Sequence, residues 1–336
     1  MTIMCKASFC VYFDHRYLPQ GLTLYRSLKA WCPEAHLYVL ALSESCKIFL
    51  ENLGWSDLHV ISLPELESYD RELCNIKATR TGAEYIFTLT PSWIRYLLRS
   101  DSDMKMLTYI DADTAFFSSP SPALSSLRTS VGVVGHRFPP RLNHLLCYGR
   151  FNVGWNTFCN DETAHACLDF WRDRCLDWCR DICDAGRFAD QGYLDEWPEL
   201  FGVQEIPHKG INVAPWNVDT FKFSSKNGAV WVDEYPLVFF HFQGMRRLWN
   251  CICESGLVRY KSTMTPLLRE LVFTPYLQAL LKTAEEFQLE LWESLSRGQI
   301  CSWGVLYLYA YCFAKGGGMK NFWKIPKIGR HYGEKR

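Results

Sequence analysis

The 336-residue chain reads as an α/β protein, with a Rossmann-like, mixed and mostly parallel sheet flanked by helices and a helical C-terminal extension. Two observations carry that expectation. Short apolar runs rich in β-branched and aromatic residues alternate with helix-like segments, and the residues between them are those of helix starts and stops. Residues 9–13, 37–42 and 58–62 are the first three strands. Ser43 caps a helix that Gly54 stops, and Thr90, with Pro91 at the first helical position, announces another. Connections of about ten helical residues imply parallel pairing through right-handed crossovers, with ligands bound beyond the carboxyl ends of the strands. Residues 106–110 and 131–135 are a fourth and a fifth strand, 161–183 a long amphipathic helix, and 238–242 the last strand signal. From 264 to 313 the pattern is mostly helical.

Lys plus Arg equals Asp plus Glu at 36 each, so no global field draws nucleic acid or an anionic membrane. Fifteen cysteines without a single C-x-x-C pair, in a chain too long for a disulfide miniprotein, are expected to be reduced thiols of a cytoplasmic protein. Cys175, Cys179 and Cys183 recur every fourth residue beside Trp171 and Trp178, which reads as the buried stripe of one helix rather than a metal site. Residues 1–8 lack the pattern of a signal peptide, and the longest apolar run, 303–314, falls short of the about 20 residues that span a bilayer. Neither G-x-G-x-x-G nor G-x-x-x-x-G-K-[ST] occurs.

The segment with the clearest chemistry is Met106-Leu107-Thr108-Tyr109-Ile110-Asp111-Ala112-Asp113, an apolar strand running into two acids spaced two apart. Residues i and i+2 of a strand face one side, so both carboxylates can reach one divalent cation that also grips a diphosphate. Asp101 and Asp103 show the same spacing inside a polar stretch and read as a solvated turn. A hard cation needs further ligands, and imidazole suits Mn²⁺ better than Mg²⁺. His241, at the end of the apolar run 237–240, is the candidate, although a histidine there also suits a hydrogen-bonded core position.

The segment His241-x-x-Gly244-x-x-Arg247-Leu248-Trp249 resembles the H-x-x-G-x-x-K-P-W motif of family 8 glycosyltransferases, which have the GT-A fold. The resemblance extends, in the same order, to Asp14-His15-Arg16-Tyr17-Leu18, Phe151-Asn152-Val153-Gly154 and Ala189-Asp190-Gln191, and covers about residues 9–249. It implies that His241 completes a metal site with Asp111 and Asp113, that Gly244 lets the diphosphate approach, and that Arg247 contacts it. Arg in place of Lys changes the geometry of that cation, and Leu248 in place of Pro relaxes the backbone. It further implies a nucleotide base near Asp14 and Tyr17, a donor sugar near Asn152 and Gly154, and a reacting centre near Asp190 and Gln191. Residues 88–92 and 210–217 look like segments of bacterial sugar transferases, and Asn212 and Trp216 are candidates for lining the sugar pocket, or equally for anchoring a loop. Lys77 and Arg80 read as solvated side chains rather than phosphate ligands.

The function so implied is transfer of a sugar from a nucleotide-diphosphate donor, a UDP-sugar, to an acceptor that the sequence does not name. The reaction would depend on Mn²⁺ (or Mg²⁺) and retain anomeric configuration, with Gln191 near the anomeric carbon; in an inverting enzyme Asp190 would be the general base. Residues 1–250 are expected to form the catalytic domain, 251–315 a helical region and 316–336 a basic tail. That tail, with Lys320, Lys324, Lys327, Arg330, Lys335 and Arg336 beside Phe322 and Trp323, could touch an anionic membrane on its inner face, or be a solvated end. The alternative is a non-catalytic scaffold that keeps the nucleotide-sugar fold. A phosphatase of the haloacid dehalogenase class would place Thr or Val two residues past the second acid, where Ala115 stands.

Overall fold

Alternation along the first strand sets the layering. In the computed structural model, described for residues 7–248, 252–291 and 321–324, Phe9, Val11 and Phe13 of β1 (Ser8–Phe13) pack into one apolar cluster and Cys10 into another. The first cluster includes the buried faces of α1 (Leu18–Trp31) and α2 (Glu44–Asn52), which flank β2 (His36–Ala41). β3 (Leu58–Ser62) leads into α3 (Leu63–Tyr69), α4 (Glu72–Lys77) and α5 (Gly82–Ser100), whose apolar side lies in the second cluster. A sheet covered on both faces is the arrangement that parallel strands require.

Beyond α5 come β4 (Met106–Ile110), β5 (Thr114–Phe116), α6 (Ser121–Leu124), β6 (Val131–Gly135) and β7 (Phe151–Cys159). They are followed by α7 (Glu162–Asp177), α8 (Trp197–Phe201) and β8 (Gln204–Glu205). The seven-stranded sheet runs β3-β2-β1-β4-β7-β6-β8. β1, β2, β3 and β4 are mutually parallel, β7 is antiparallel to β4 and β6, and β8 is parallel to β6. The sheet is therefore mixed and mostly parallel, as the alternation of strands and helices implies.

Two helix readings differ. Thr90 does not cap a helix, because α5 is capped nine residues earlier, where Thr81 accepts from Glu84 N and the Glu84 carboxylate accepts from Thr81 N. That reciprocal capping box outcompetes the Thr-Pro start. Pro91 then lies inside the helix, where it has no N–H for the Phe87 carbonyl, and the Thr90 hydroxyl stands 3.1 Å from that oxygen in its place. The helix expected over 161–183 ends at Asp177, with Arg80 Nη2 donating to the last carbonyls, Leu176 at 2.9 Å among them. Cys167 and Cys175 lie on its buried side, Cys179 is buried beyond its end and Cys183 is exposed.

The later elements are β9 (Phe223–Lys226), β10 (Ala229–Val232), β11 (Tyr235–Pro236), β12 (Phe239–His241), β13 (Arg246–Leu248), β14 (Ile252–Glu254) and α9 (Pro266–Leu268). A π turn, Arg269–Phe273, leads from α9 into α10 (Thr274–Glu286), and β15 (Phe322–Lys324) follows. β13 pairs with β14 and β14 with β15. α10 packs on α1, where Arg26 holds Glu286 through bonds of 2.9 and 2.6 Å. The helical reading of 292–313 and the tail beyond Lys324 lie outside the described residues, and among the described residues no helix is long and apolar enough to cross a membrane.

Thr81→Ala removes the hydroxyl half of the capping box and is expected to lower stability by about 1 kcal/mol, with Ser restoring most of it. Urea unfolding followed by circular dichroism checks this; no change would mean that packing alone holds the start of α5.

Candidate functional site

The carboxyl ends of β1 and β4 open into one cleft of about 910 Å³. At the end of β1, Asp14 turns the chain into a single 3-10 turn by accepting from Arg16 N at 3.0 Å, and its other oxygen holds Arg16 Nε at 2.8 Å. Tyr17 follows, 45% exposed at the cleft's mouth. At the end of β4 come Asp111 and Asp113, both lining the cleft, before β5 leads the chain away.

Strand register brings His241 to these acids. β12 pairs antiparallel with β5, with His241 opposite Thr114, and Phe242 N donates to the Asp113 carbonyl at 2.8 Å. The His241 Nε2 atom then lies 3.1 Å from Asp113 Oδ1 and 3.7 Å from Asp111 Oδ2. Burial disfavours the imidazolium, but the two carboxylates outweigh it and hold His241 above its ordinary value. Burial raises Asp111, whose Oδ1 accepts from the Tyr109 hydroxyl at 2.9 Å.

Gly154 of β7 makes room for this cluster. A side-chain carbon there would stand 2.7 Å from Asn152 Oδ1, 2.9 Å from His241 Nδ1 and 3.0 Å from Asp111 Oδ2. Among the described residues no three such side chains meet as a ready-made metal cage; imidazole and carboxylate touch directly instead. The donor set still suits a hard divalent cation. Ligand atoms about 2.1 Å from a six-coordinate ion stand about 3 Å apart, and His241 Nε2 lies 3.1 Å from Asp113 and 3.7 Å from Asp111.

Asp190 and Gln191 approach from a loop after α7. Trp171 Nε1 donates to the Asp190 carbonyl at 2.7 Å, and Ala189 before it has φ +46°, a left-handed conformation rare outside glycine. The Asp190 carboxyl is 4% exposed, accepts from the Thr90 hydroxyl at 2.8 Å, and is pushed up to about 7 by burial first and by the nearby Asp111 charge. The Gln191 amide is held at both ends, with Nε2 donating to the Tyr148 carbonyl at 2.7 Å and Oε1 accepting from Asn152 Nδ2 at 2.9 Å.

The structure thus brings Asp14, Tyr17, Asp111, Asp113, Asn152, Asp190, Gln191 and His241 to one cleft, with Gly154 against its floor. It does not bring Asn212 or Arg247 there. Asn212 is fully buried at φ +54° behind the cleft wall, with neither amide atom partnered among the described residues. Arg247 is half-buried in β13 with Nη1 3.5 Å from the Leu291 carbonyl. Gly244 has φ +78°, which explains the glycine as backbone geometry, and it does not line the cleft. Trp216 both lines the cleft and anchors a loop, its indole donating to the His136 carbonyl at 3.0 Å. Lys77 pairs with Glu67 at 2.6 Å, away from the cleft.

Sequence reasoning passed over His136, Arg259 and Lys261, all of which line the cleft. His136 had a signal, since it follows an all-apolar strand just as Asp111 follows β4. Arg259 and Lys261 had none, because they reach the cleft through a 3-10 turn after β14.

With this geometry the relatives are informative. The uncharacterized protein YfnD of Bacillus subtilis (strain 168) is 31% identical over 290 residues, covering 85% of this chain and 92% of YfnD. This chain belongs to the YfnD family. A second uncharacterized protein of that strain, YfnF, is 31% identical over 250 residues, covering 71% of this chain and 82% of its own. No family model matches. Among solved structures, the galactosyltransferase LgtC in complex with donor and acceptor sugar analogs superposes with a TM-score of 0.51 at 16% identity, over 82% of this chain and 95% of LgtC. The fold of this YfnD-family chain is therefore the GT-A fold, resembling family 8 glycosyltransferases.

Two outcomes are expected. Gly154→Ala should displace Asn152, His241 or Asp111 while the chain still folds, so that any stabilisation by Mn²⁺ is smaller in the variant, as read by thermal unfolding with and without the ion. For Asp190, the stability tied to the protonated carboxyl is fully present below the ordinary carboxylate value and is lost as pH climbs toward and through about 7. Asp190→Asn should therefore gain stability over the unaltered chain at pH 8 relative to pH 5, on the order of a few kcal/mol at most. An equal difference at both pH values would mean an ordinary, ionised Asp190.

Proposed function

We propose that this chain is a glycosyltransferase that moves a sugar from a nucleotide-diphosphate donor, a UDP-sugar, to an acceptor in the same cleft. The observation that supports it most is the meeting of Asp111, Asp113 and His241 at strand ends, across one cleft from Asp190 and Gln191. Asp111, Asp113 and His241 would hold a divalent cation, Mn²⁺ or Mg²⁺, which when bound would neutralise charge developing on the departing diphosphate.

The remaining roles belong to side chains of the cleft. Tyr17 and Asp14 at the mouth suit the base and ribose, by stacking and by hydrogen bonding. Arg259, which lines the cleft and precedes the Tyr260 whose hydroxyl bonds Gln243, takes the diphosphate contact that the motif alone would give to Arg247. Gln191 presents a fixed amide to the sugar, while the Asp190 carboxyl lies almost wholly buried behind it. That difference in access supports retention of configuration, with Gln191 beside the anomeric carbon. The raised proton affinity of Asp190 is the property an inverting base would need, so anomer-resolved NMR of the product tests the assignment, and an inverted product moves the central role to Asp190.

The donor site is tested by thermal shift with UDP, GDP and CDP, each with Mn²⁺ or EDTA, on the unaltered chain and on Asp113→Ala. Ligand at about 100 times its Kd adds about 2.7 kcal/mol, a shift of several degrees. A Mn²⁺-dependent shift with UDP that Asp113→Ala loses is the expected result. No shift with any nucleotide would favour a scaffold that keeps the fold without the donor site. Arg259→Ala should weaken the UDP shift more than Arg247→Ala.

A further inference from the structure

We propose that His136 and Asn152 are positioning residues that fix the Gln191 carboxamide with its oxygen turned into β7, so that Gln191 meets the donor sugar as an N–H donor and not as an oxygen nucleophile. This rests on the glycosyltransferase reading of the cleft.

His136 is 5% exposed, stacked on Phe138 at 4.6 Å and 10° and set edge-on to Trp216 at 5.5 Å. Its Nδ1 lies 3.0 Å from the Gly149 carbonyl, which can only accept, so the proton sits on Nδ1 and Nε2 is bare. Burial pushes the ring down to about 4, which keeps it neutral at neutral pH. The bare Nε2, 3.3 Å from Asn152 Nδ2, must accept, and this fixes which way round the Asn152 amide lies. Asn152 Nδ2 spends its other hydrogen on Gln191 Oε1 at 2.9 Å, while Asn152 Oδ1 accepts from Gly154 N at 3.0 Å. Flipping Asn152 would face its oxygen against both the imidazole lone pair and the Gln191 oxygen.

Gln191 Oε1 also accepts from Val153 N at 3.3 Å, so both of its lone pairs are engaged. Its Nε2 gives one hydrogen to the Tyr148 carbonyl and keeps the second. That single N–H is the hydrogen-bonding capacity left to Gln191 in the cleft. The order of donors starts and ends on adjacent main-chain carbonyls, Gly149 and Tyr148, so neither end can turn without leaving a buried group unpaired.

The test uses the full chain with Mn²⁺ and a UDP-sugar, comparing donor turnover in the unaltered protein, His136→Phe and His136→Gln, together with ¹⁵N NMR of the His136 ring. His136→Phe keeps the ring stack and loses the acceptor; kcat should fall about tenfold or more, as for one misplaced hydrogen bond in the reacting centre, with the donor KM little changed. His136→Gln, which can return an acceptor oxygen to the same place, should recover most of the loss. NMR should show the neutral Nδ1–H tautomer. Unchanged kcat in His136→Phe, an equal loss in both variants, or an Nε2–H tautomer would overturn the proposal. Absence of turnover in the unaltered chain would count against the reaction itself, and the tautomer would still decide the order of the hydrogen bonds.

Discussion

The controlling constraint in this molecule is negative charge buried at the carboxyl end of a parallel sheet. Asp190 is almost wholly surrounded by protein and Asp111 is partly buried where it lines the cleft; burial and the Asp111 charge raise the proton affinity of Asp190, while burial and the Asp113 charge raise that of Asp111. Tyr12 and Tyr109, packed beside them, are driven up as well, by burial and then by these carboxylates. An isolated group of acids in such surroundings is expensive and persists where something positive is drawn to it. His241 supplies part of that compensation, and a divalent cation with a diphosphate would complete it. The site is thus poised for charge rather than packed for stability.

Holding charged groups in that state requires a floor that does not yield. β7 provides it through alternation: Gly154 leaves the gap for His241 and Asp111, while the next residue, Trp155, goes into an aromatic cluster. Trp155 meets Phe239 at 5.0 Å and Phe9 at 6.1 Å, and Phe116 meets Phe239 at 5.1 Å. These rings come from β1, β5, β7 and β12, the strands that carry or adjoin the site. A shift of one residue in the β5 and β12 pairing would move Phe239 out of the cluster and His241 away from the acids together. Core packing and site geometry are therefore fixed by the same register.

Much of this was legible in the sequence because it depends on local pattern. The β1 to β3 alternation, the Ser43 cap and the Asp111-x-Asp113 strand end follow from period, turn residues and an apolar run, and the structure shows each where the pattern puts it. The readings that differ depend on distant partners. Thr-Pro at 90 and 91 carries a valid start signal, but a stronger cap at Thr81 lay upstream. Arg247 matches a motif position, yet half-burial in a hairpin holds it off the cleft, and Arg259 arrives from a turn that no spacing rule connects to the acids. Asn212 has the residue type for a sugar contact but lies at a left-handed backbone position inside the fold.

Thr90 shows why such departures gather near the site. Its hydroxyl stands 3.1 Å from the Phe87 carbonyl that Pro91 leaves unpaired, 2.8 Å from Asp190 Oδ2 and 3.2 Å from the Tyr12 hydroxyl. It has one hydrogen to give and two acceptors to serve. When Asp190 is ionised, the stronger acceptor takes that hydrogen and the helix carbonyl goes without it. When Asp190 is protonated it can donate to Thr90 instead, and the hydroxyl is released to the Phe87 carbonyl. An interior proline, costly in an ordinary helix, here leaves a carbonyl whose partner depends on the charge of an acid in the cleft. The backbone of α5 and the protonation of Asp190 are coupled through a single hydroxyl.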